Sequence, residues 1–118
     1  MGGGGLLAGI VSYFVKKSPH TKIIAVEPLD SDCFNQAYKT GKRVKLKNVG
    51  IFADGVAVKQ IGKHAFDISK DHVASTLLVS TDEICAGIKD LYNETRTIAE
   101  PALSLIHISE PTRPLYIS

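Results

Sequence analysis

Apolar residues recur at helical spacing near the start of the chain. Leu7, Ile10, Val11 and Phe14 share one face, with Leu6 beside them. That i, i+3, i+4, i+7 pattern predicts an amphipathic helix. Lys16 and Lys17 suit its negative dipole end, and Ser18-Pro19-His20 stops it. Lys22 to Glu27 form a short apolar, β-branched run, as a buried parallel strand does. Beyond Pro28, Asp30 or Ser31 can cap a short helix carrying Cys33, Phe34, Ala37 and Tyr38 on one face, with Gly41 ending it. Arg43 to Lys47 alternate apolar and basic, as an exposed extended segment would. Val49 to Lys59 place Gly50 and Gly55 in an apolar setting and follow neither period. A helix is predicted from about Lys63 to His72, burying Ala65, Phe66 and either Ile68 or Ser69. Thr76 to Val79 read as the next strand. Ser80 and Glu83 have capping-box spacing. The helix behind them bears Ile84, Cys85, Ile88, Leu91 and Tyr92 as one stripe, to about Arg96.

Helix and strand therefore alternate through short connections. This predicts an α/β fold: a partial, open, mainly parallel sheet with flanking helices. A loop running into a helix normally follows a strand, and none precedes Met1. Composition agrees with a folded domain, since 44% of the 118 residues are hydrophobic and 22% are charged. A net charge of +2 without a basic tract gives no reason to expect a nucleic-acid or membrane partner. The apolar stretch from Leu6 to Val15 is too short to span a bilayer, and glycines rather than basic residues follow Met1, so a signal peptide is not expected. Cys33 and Cys85 have neither metal-ligand nor CxxC spacing and are expected to be free thiols in the core. His20, His64, His72 and His107 show no ligand spacing and are expected at the surface.

The chemical signal lies in Gly2 to Gly5. Glycine permits positive φ and close backbone approach, so successive N–H groups at a helix start can converge on a phosphate. No Gly-Lys-Ser/Thr follows, and no dinucleotide-type GxGxxG is present. A flexible linker has the same composition. The immediate switch into an apolar helix favours the cradle.

These motifs resemble a known family. Gly2-Gly3-Gly4-Gly5-Leu6-Leu7-Ala8-Gly9 is similar to the phosphate-binding loop of fold type II enzymes, the tryptophan-synthase-β-like group that uses pyridoxal 5'-phosphate (PLP). Ile24-Ala25-Val26-Glu27-Pro28 resembles the strand that follows in that group. The stretch Val49-Gly50-Ile51-Phe52-Ala53-Asp54-Gly55-Val56-Ala57-Val58-Lys59 most resembles biosynthetic threonine dehydratases. Asp82-Glu83-Ile84-Cys85-Ala86 and Ile98-Ala99-Glu100-Pro101 continue the likeness in order. The resemblance implies a piece of the large catalytic domain of such an enzyme, with PLP as cofactor. The parent reaction would convert L-threonine, or L-serine, to a 2-oxo acid and ammonia. For threonine the product is 2-oxobutanoate, at the first step of isoleucine biosynthesis. It also implies a homotetrameric parent in the cytoplasm, or in a plastid or mitochondrion. A serine racemase or serine dehydratase, or a non-catalytic module binding a phosphate ligand, are the alternatives.

Carried over residue by residue, the resemblance implies that Gly2, Gly3, Gly4 and Gly5, with the Leu6 amide, hold the cofactor phosphate. Gly55 would lie against the pyridine ring, and Glu100 near its imine and 3'-hydroxyl side. In serine-racemase relatives the glutamate matching Glu27 binds a divalent cation with a carbonyl four residues on and an aspartate six residues on. Here those positions are Ser31 and Cys33, so no divalent site is expected, and Glu27 is the one candidate for any cation. By itself Glu27 reads equally as a solvated or capping carboxylate, and Asp54 as a turn former. Lys59 has no spacing that makes it catalytic. The family's Schiff-base lysine sits in a Ser-x-Lys-x-Arg-type segment, and its ring-nitrogen contact in a Ser-Gly-Ala-Asn segment. This sequence has neither, so the chain alone is expected to be inactive. Residues 1–102 carry the resemblance. From Leu103 to Arg113 the sequence looks like a translated transposase-type sequencing adapter, so residues 103–118 are expected to lie outside the fold.

Overall fold

The computed structural model describes residues 1–108. Two parallel strands, β1 (Ile24–Pro28) and β2 (Ser75–Val79), pair in register from Ile24 opposite Ser75 to Pro28 opposite Val79. Around them lie α1 (Gly5–Lys17), α2 (Cys33–Thr40), α3 (Lys63–Ser69), α4 (Thr81–Thr95) and α5 (Pro101–Ile108), plus one 3₁₀ turn, Asp54–Val56.

The pleat of β1 sorts the core into two layers, because successive side chains face opposite ways. Ala25 joins Leu7, Val11, Phe34, Ile61 and Phe66 on the face covered by α1, α2 and α3. Val26 joins Ala53, Val79, Ile84 and Leu105 on the face covered by α4 and α5. The predicted α/β layering with a parallel sheet is what forms.

Local chemistry sets the element ends. Gly4, at φ 92°, turns the chain into α1, and Lys16 and Lys17 occupy its last turn. Gly41, at φ 78°, closes α2, its N–H donating to the Ala37 carbonyl at 2.8 Å. Ser80 and Glu83 form the predicted reciprocal box at the start of α4. The Glu83 N–H donates to Ser80 Oγ at 3.2 Å, and the Ser80 N–H donates to Glu83 Oε1 at 3.0 Å.

Several expectations need correction. The face of α1 that packs is Leu7, Ala8 and Val11, whereas Ile10 and Leu6 stay exposed. The apolar stripe is wider than the contact with α3, so its edge is left open. Neither Asp30 nor Ser31 caps α2. Asp32 holds that position, and its carboxylate accepts from Asn35 Nδ2 and Gln36 Nε2 instead of from the backbone. α3 ends at Ser69, short of His72, and buries Phe66 and Ser69 while Ile68 is exposed. Cys33 is buried as expected, but Cys85 is exposed. On α4 the covered residues are Ile84 and Gly87, and Cys85 lies about 100° round the helix from Ile84.

The boundary drawn at residue 102 falls inside α5. There Leu105 is buried against the α4 side, and Ser104 Oγ donates to the carbonyls of Pro101 and Ile84 at 2.9 and 3.3 Å. The rest of that expected tail, residues 109–118, lies outside the described residues. Among the described residues no helix is long and apolar enough to cross a membrane.

Candidate functional site

The glycine loop and the irregular segment after α2 meet at the mouth of α1. A side chain on Gly2 (φ 63°) would lie 3.4 Å from the Gly55 carbonyl and against Val56. A side chain on Gly55 would lie 3.1 Å from both Glu100 Oε1 and Ala102 Cβ. Gly2, Gly55 and Glu100 are therefore neighbours, although they come from three separate stretches of sequence.

The four loop glycines do different things. Gly4 is buried toward α3, and a Cβ there would stand 2.8 Å from Ala65 Cβ and Ile61 Cδ1. Its glycine identity serves packing and the left-handed turn. Gly3 and Gly5 are exposed, and a Cβ on either would meet nothing within 4 Å. Gly3 also accepts the Gly62 N–H at 3.1 Å, which fixes the loop against the start of α3.

The first-turn N–H groups of α1 have no intrahelical acceptor. No side chain caps them, and no acidic residue occupies that turn. Such an end favours an anion through its dipole and its free donors. A phosphate-bearing cofactor fits this loop on the side that Gly3 and Gly5 leave open.

Beside it is a cavity of about 340 Å³ lined by Leu6, Ala25, Val26, Gly55 and Glu100, among others. The first turns of both α1 and α5 contribute, through Leu6 and Leu7 and through Ala102 and Leu103. Its walls are mainly apolar, with Glu100 supplying a carboxylate. A flat, partly apolar ring with one polar edge suits this lining. Every lysine of the chain is exposed, and none lines the cavity.

Glu27 lies elsewhere. Its side chain turns to the α2 face of β1 and is 1% exposed. Oε1 accepts the Asn35 N–H at 2.7 Å, and Oε2 accepts the Phe34 N–H at 3.3 Å. The strand thus caps the helix, with the carboxylate taking the place of an N-cap side chain. Burial pushes the Glu27 carboxyl up from the usual 4.5 to about 7, against the opposing pull of the two N–H donors and the nearby Met1 amine. The Met1 amine donates to the Val26 carbonyl at 3.2 Å, and burial lowers its pKa. Among the described residues no three His, Cys, Asp or Glu side chains group as metal ligands. Asp54 opens the 3₁₀ turn that presents Gly55.

The sequence offers Ser31 as a helix cap and, through the resemblance, as the residue at the position of a cation-binding carbonyl. Its hydroxyl donates to the Val56 carbonyl at 2.9 Å. Nothing local in the sequence marks that contact.

Comparison with known proteins places the chain beside enzymes. The sequence pattern of the family described as "Pyridoxal-phosphate dependent enzyme" matches residues 1–107. The mitochondrial threonine dehydratase of Schizosaccharomyces pombe is 47% identical over 102 residues, covering 86% of this chain and 17% of that protein. The chloroplastic biosynthetic threonine dehydratase of Arabidopsis thaliana is 50% identical over 105 residues, covering 89% and 18%. The chain thus spans about a fifth of the length of these curated relatives. Among solved structures, the processed form of threonine deaminase isoform 2 from Solanum lycopersicum superposes with a TM-score of 0.89 at 42% identity, over 92% of this chain and 30% of that one. Maize serine racemase gives 0.85 at 26% identity, over 89% and 33%.

Proposed function

Because the chain belongs to the pyridoxal-phosphate-dependent enzyme family, we propose that it is part of a threonine ammonia-lyase that converts L-threonine to 2-oxobutanoate and ammonia for isoleucine synthesis. Gly2 to Gly5 and the Leu6 amide hold the cofactor phosphate, Gly55 faces its ring, and Glu100 stands at a polar edge of the ring. The observation that carries this reading is the meeting of Gly2, Gly55 and Glu100 at the open N-terminal end of α1. When bound, the cofactor supplies an electron sink for the charge released at the substrate α-carbon.

The chain's own groups bind and orient. The α1 dipole and its free N–H groups take the phosphate charge. Gly55, lacking Cβ, lets a planar group lie close to the backbone. Leu6 and Val26 exclude water from the ring side. Glu100 can hold a proton at a heteroatom on the ring edge. With no lysine at the cavity, this chain contributes the cradle and one wall, and the amine that carries the cofactor comes from another part of the parent. Residues 103–118 are in this reading a tail of separate origin, of which Leu105 packs beside Ile84 of α4.

Threonine is preferred to the serine-racemase alternative because, among the superposed structures, identity is 42% to the tomato threonine deaminase and 26% to the maize racemase. The parent is proposed as a homotetramer, in the cytoplasm or an organelle; the two curated relatives named above are mitochondrial and chloroplastic.

Titration with inorganic phosphate and with PLP, followed by amide NMR, tests the proposal. Phosphate should shift Gly3 to Leu6, and PLP should shift Gly55 in addition. Silence at all these amides would refute it.

A further inference from the structure

Residues 41–62 form a long connection in which the 3₁₀ turn Asp54–Val56 is the only regular element. Such a segment supplies little rigidity of its own. Within the turn the Val56 N–H donates to Ala53 at 3.0 Å and the Ala57 N–H to Asp54 at 3.2 Å. Yet Gly55 stands at a defined place between Gly2 and Glu100. Something outside the segment must hold it.

Two bonds from the β1–α2 connection do so, one at each end of the stretch from Gly50 to Val56. The Gly50 N–H donates to the Asp30 carbonyl at 2.9 Å. A Cβ on Gly50 would overlap the carboxylate of the exposed Asp30, which would have to turn aside. At the other end, Ser31 Oγ donates to the Val56 carbonyl at 2.9 Å, from a side chain only 1% exposed. Ser31 is itself fixed, since its N–H donates to the Pro28 carbonyl at 3.2 Å at the end of β1. A buried hydroxyl needs a partner, but this one is spent on the peptide next to Gly55.

We infer that Ser31 is a positioning residue that anchors the Gly55 wall of the cofactor cavity to the end of β1. The inference rests on the reading of Gly2–Gly5 and Gly55 given above. Ser31 is not among the residues that line the cavity. It acts through the Val56 carbonyl, and its loss should affect a ligand that uses Gly55 but spare one that uses the α1 mouth alone.

The test uses the full chain with Ser31→Ala, Ser31→Cys and Ser31→Thr. Cysteine keeps the volume with a weak donor, should alanine fail to fold, and threonine keeps the hydroxyl. Amide hydrogen exchange should quicken about tenfold at Val56 and Ala57 in the alanine and cysteine variants, with α4 amides unchanged, as for loss of one buried hydrogen bond. PLP affinity should fall by a similar factor while inorganic phosphate affinity holds within about twofold. Threonine should restore both. Faster exchange with unchanged PLP affinity overturns the inference and leaves Ser31 a purely structural bond. Unchanged exchange overturns it as well. A wild-type chain that binds neither phosphate nor PLP overturns the cofactor reading itself, which the wild-type titration alone reveals.

Discussion

Gly3 and Gly4 are adjacent, identical and expected to fail in opposite ways when each becomes alanine. Gly4 sits at φ 92°, where an L-residue costs roughly 1–2 kcal/mol. Its new methyl would also stand 2.8 Å from Ala65 Cβ and Ile61 Cδ1, on the buried α3 side. Forcing a methyl into a packed core adds about 1–3 kcal/mol. Gly4→Ala should therefore lose about 2–5 kcal/mol, a large part of the roughly 5–15 kcal/mol typical of a domain. The melting midpoint should drop by about 10 °C or more. Gly3 is not in the left-handed region, and its methyl would meet nothing within 4 Å. Gly3→Ala should change stability by less than about 1 kcal/mol, with a stabilising sign from the stiffer unfolded chain. That methyl would project into the open side of the proposed cradle, so phosphate affinity should fall about tenfold or more, an effect of about 1.4 kcal/mol. Thermal melts followed by circular dichroism, paired with phosphate titration, read both quantities. Gly4→Ala melting with the wild type would refute the packing argument. Undiminished phosphate binding by Gly3→Ala would refute the cradle.

Other expectations follow from single groups. Glu27 has a folded-state pKa raised to about 7 from 4.5 by burial. The folded chain then holds this proton more tightly than the unfolded chain, so its contribution is complete below pH 4.5 and is lost as pH rises to about 7. Urea midpoints should fall across that window by an equivalent of about 3 kcal/mol at most, and Glu27→Gln should flatten the slope; an equal slope in the variant would refute the assignment. Ser80→Ala removes the acceptor of the Glu83 N–H and should cost about 1 kcal/mol, seen as a drop of about 4–8 °C in melting. Cys85 is exposed, whereas Cys33 is buried with its thiol pushed up to about 11 by burial. An aromatic disulfide reagent should therefore label Cys85 rapidly and Cys33 only on unfolding, and two fast thiols would contradict the packing of α2.

Short-range chemistry was decided by the sequence itself. The capping box at Ser80 and Glu83, the stop at Gly41 and the succession of helical and extended segments all depend on residues a few positions apart, whose sterics act wherever the segment lies. The proposal of a phosphate cradle at the glycine loop rests on the same kind of local signal. Contacts between distant segments were decided only by tertiary structure. Periodicity marked an apolar stripe on α1 but could not tell that α3 covers Leu7 and Val11 while Ile10 stays open. It placed Cys85 in a stripe whose packed centre lies at Ile84 and Gly87. Glu27 became the cap of α2 because the pleat of β1 turns it to the same face as Ala25, where the N–H groups of Phe34 and Asn35 lacked partners. The stretch around Gly55 has no period because its shape is imposed from outside, by Asp30, Ser31 and Gly2. A local pattern records what a segment prefers; the position of a wall against a cavity depends on which other segment supplies its missing hydrogen bonds, and that is a property of the assembled fold.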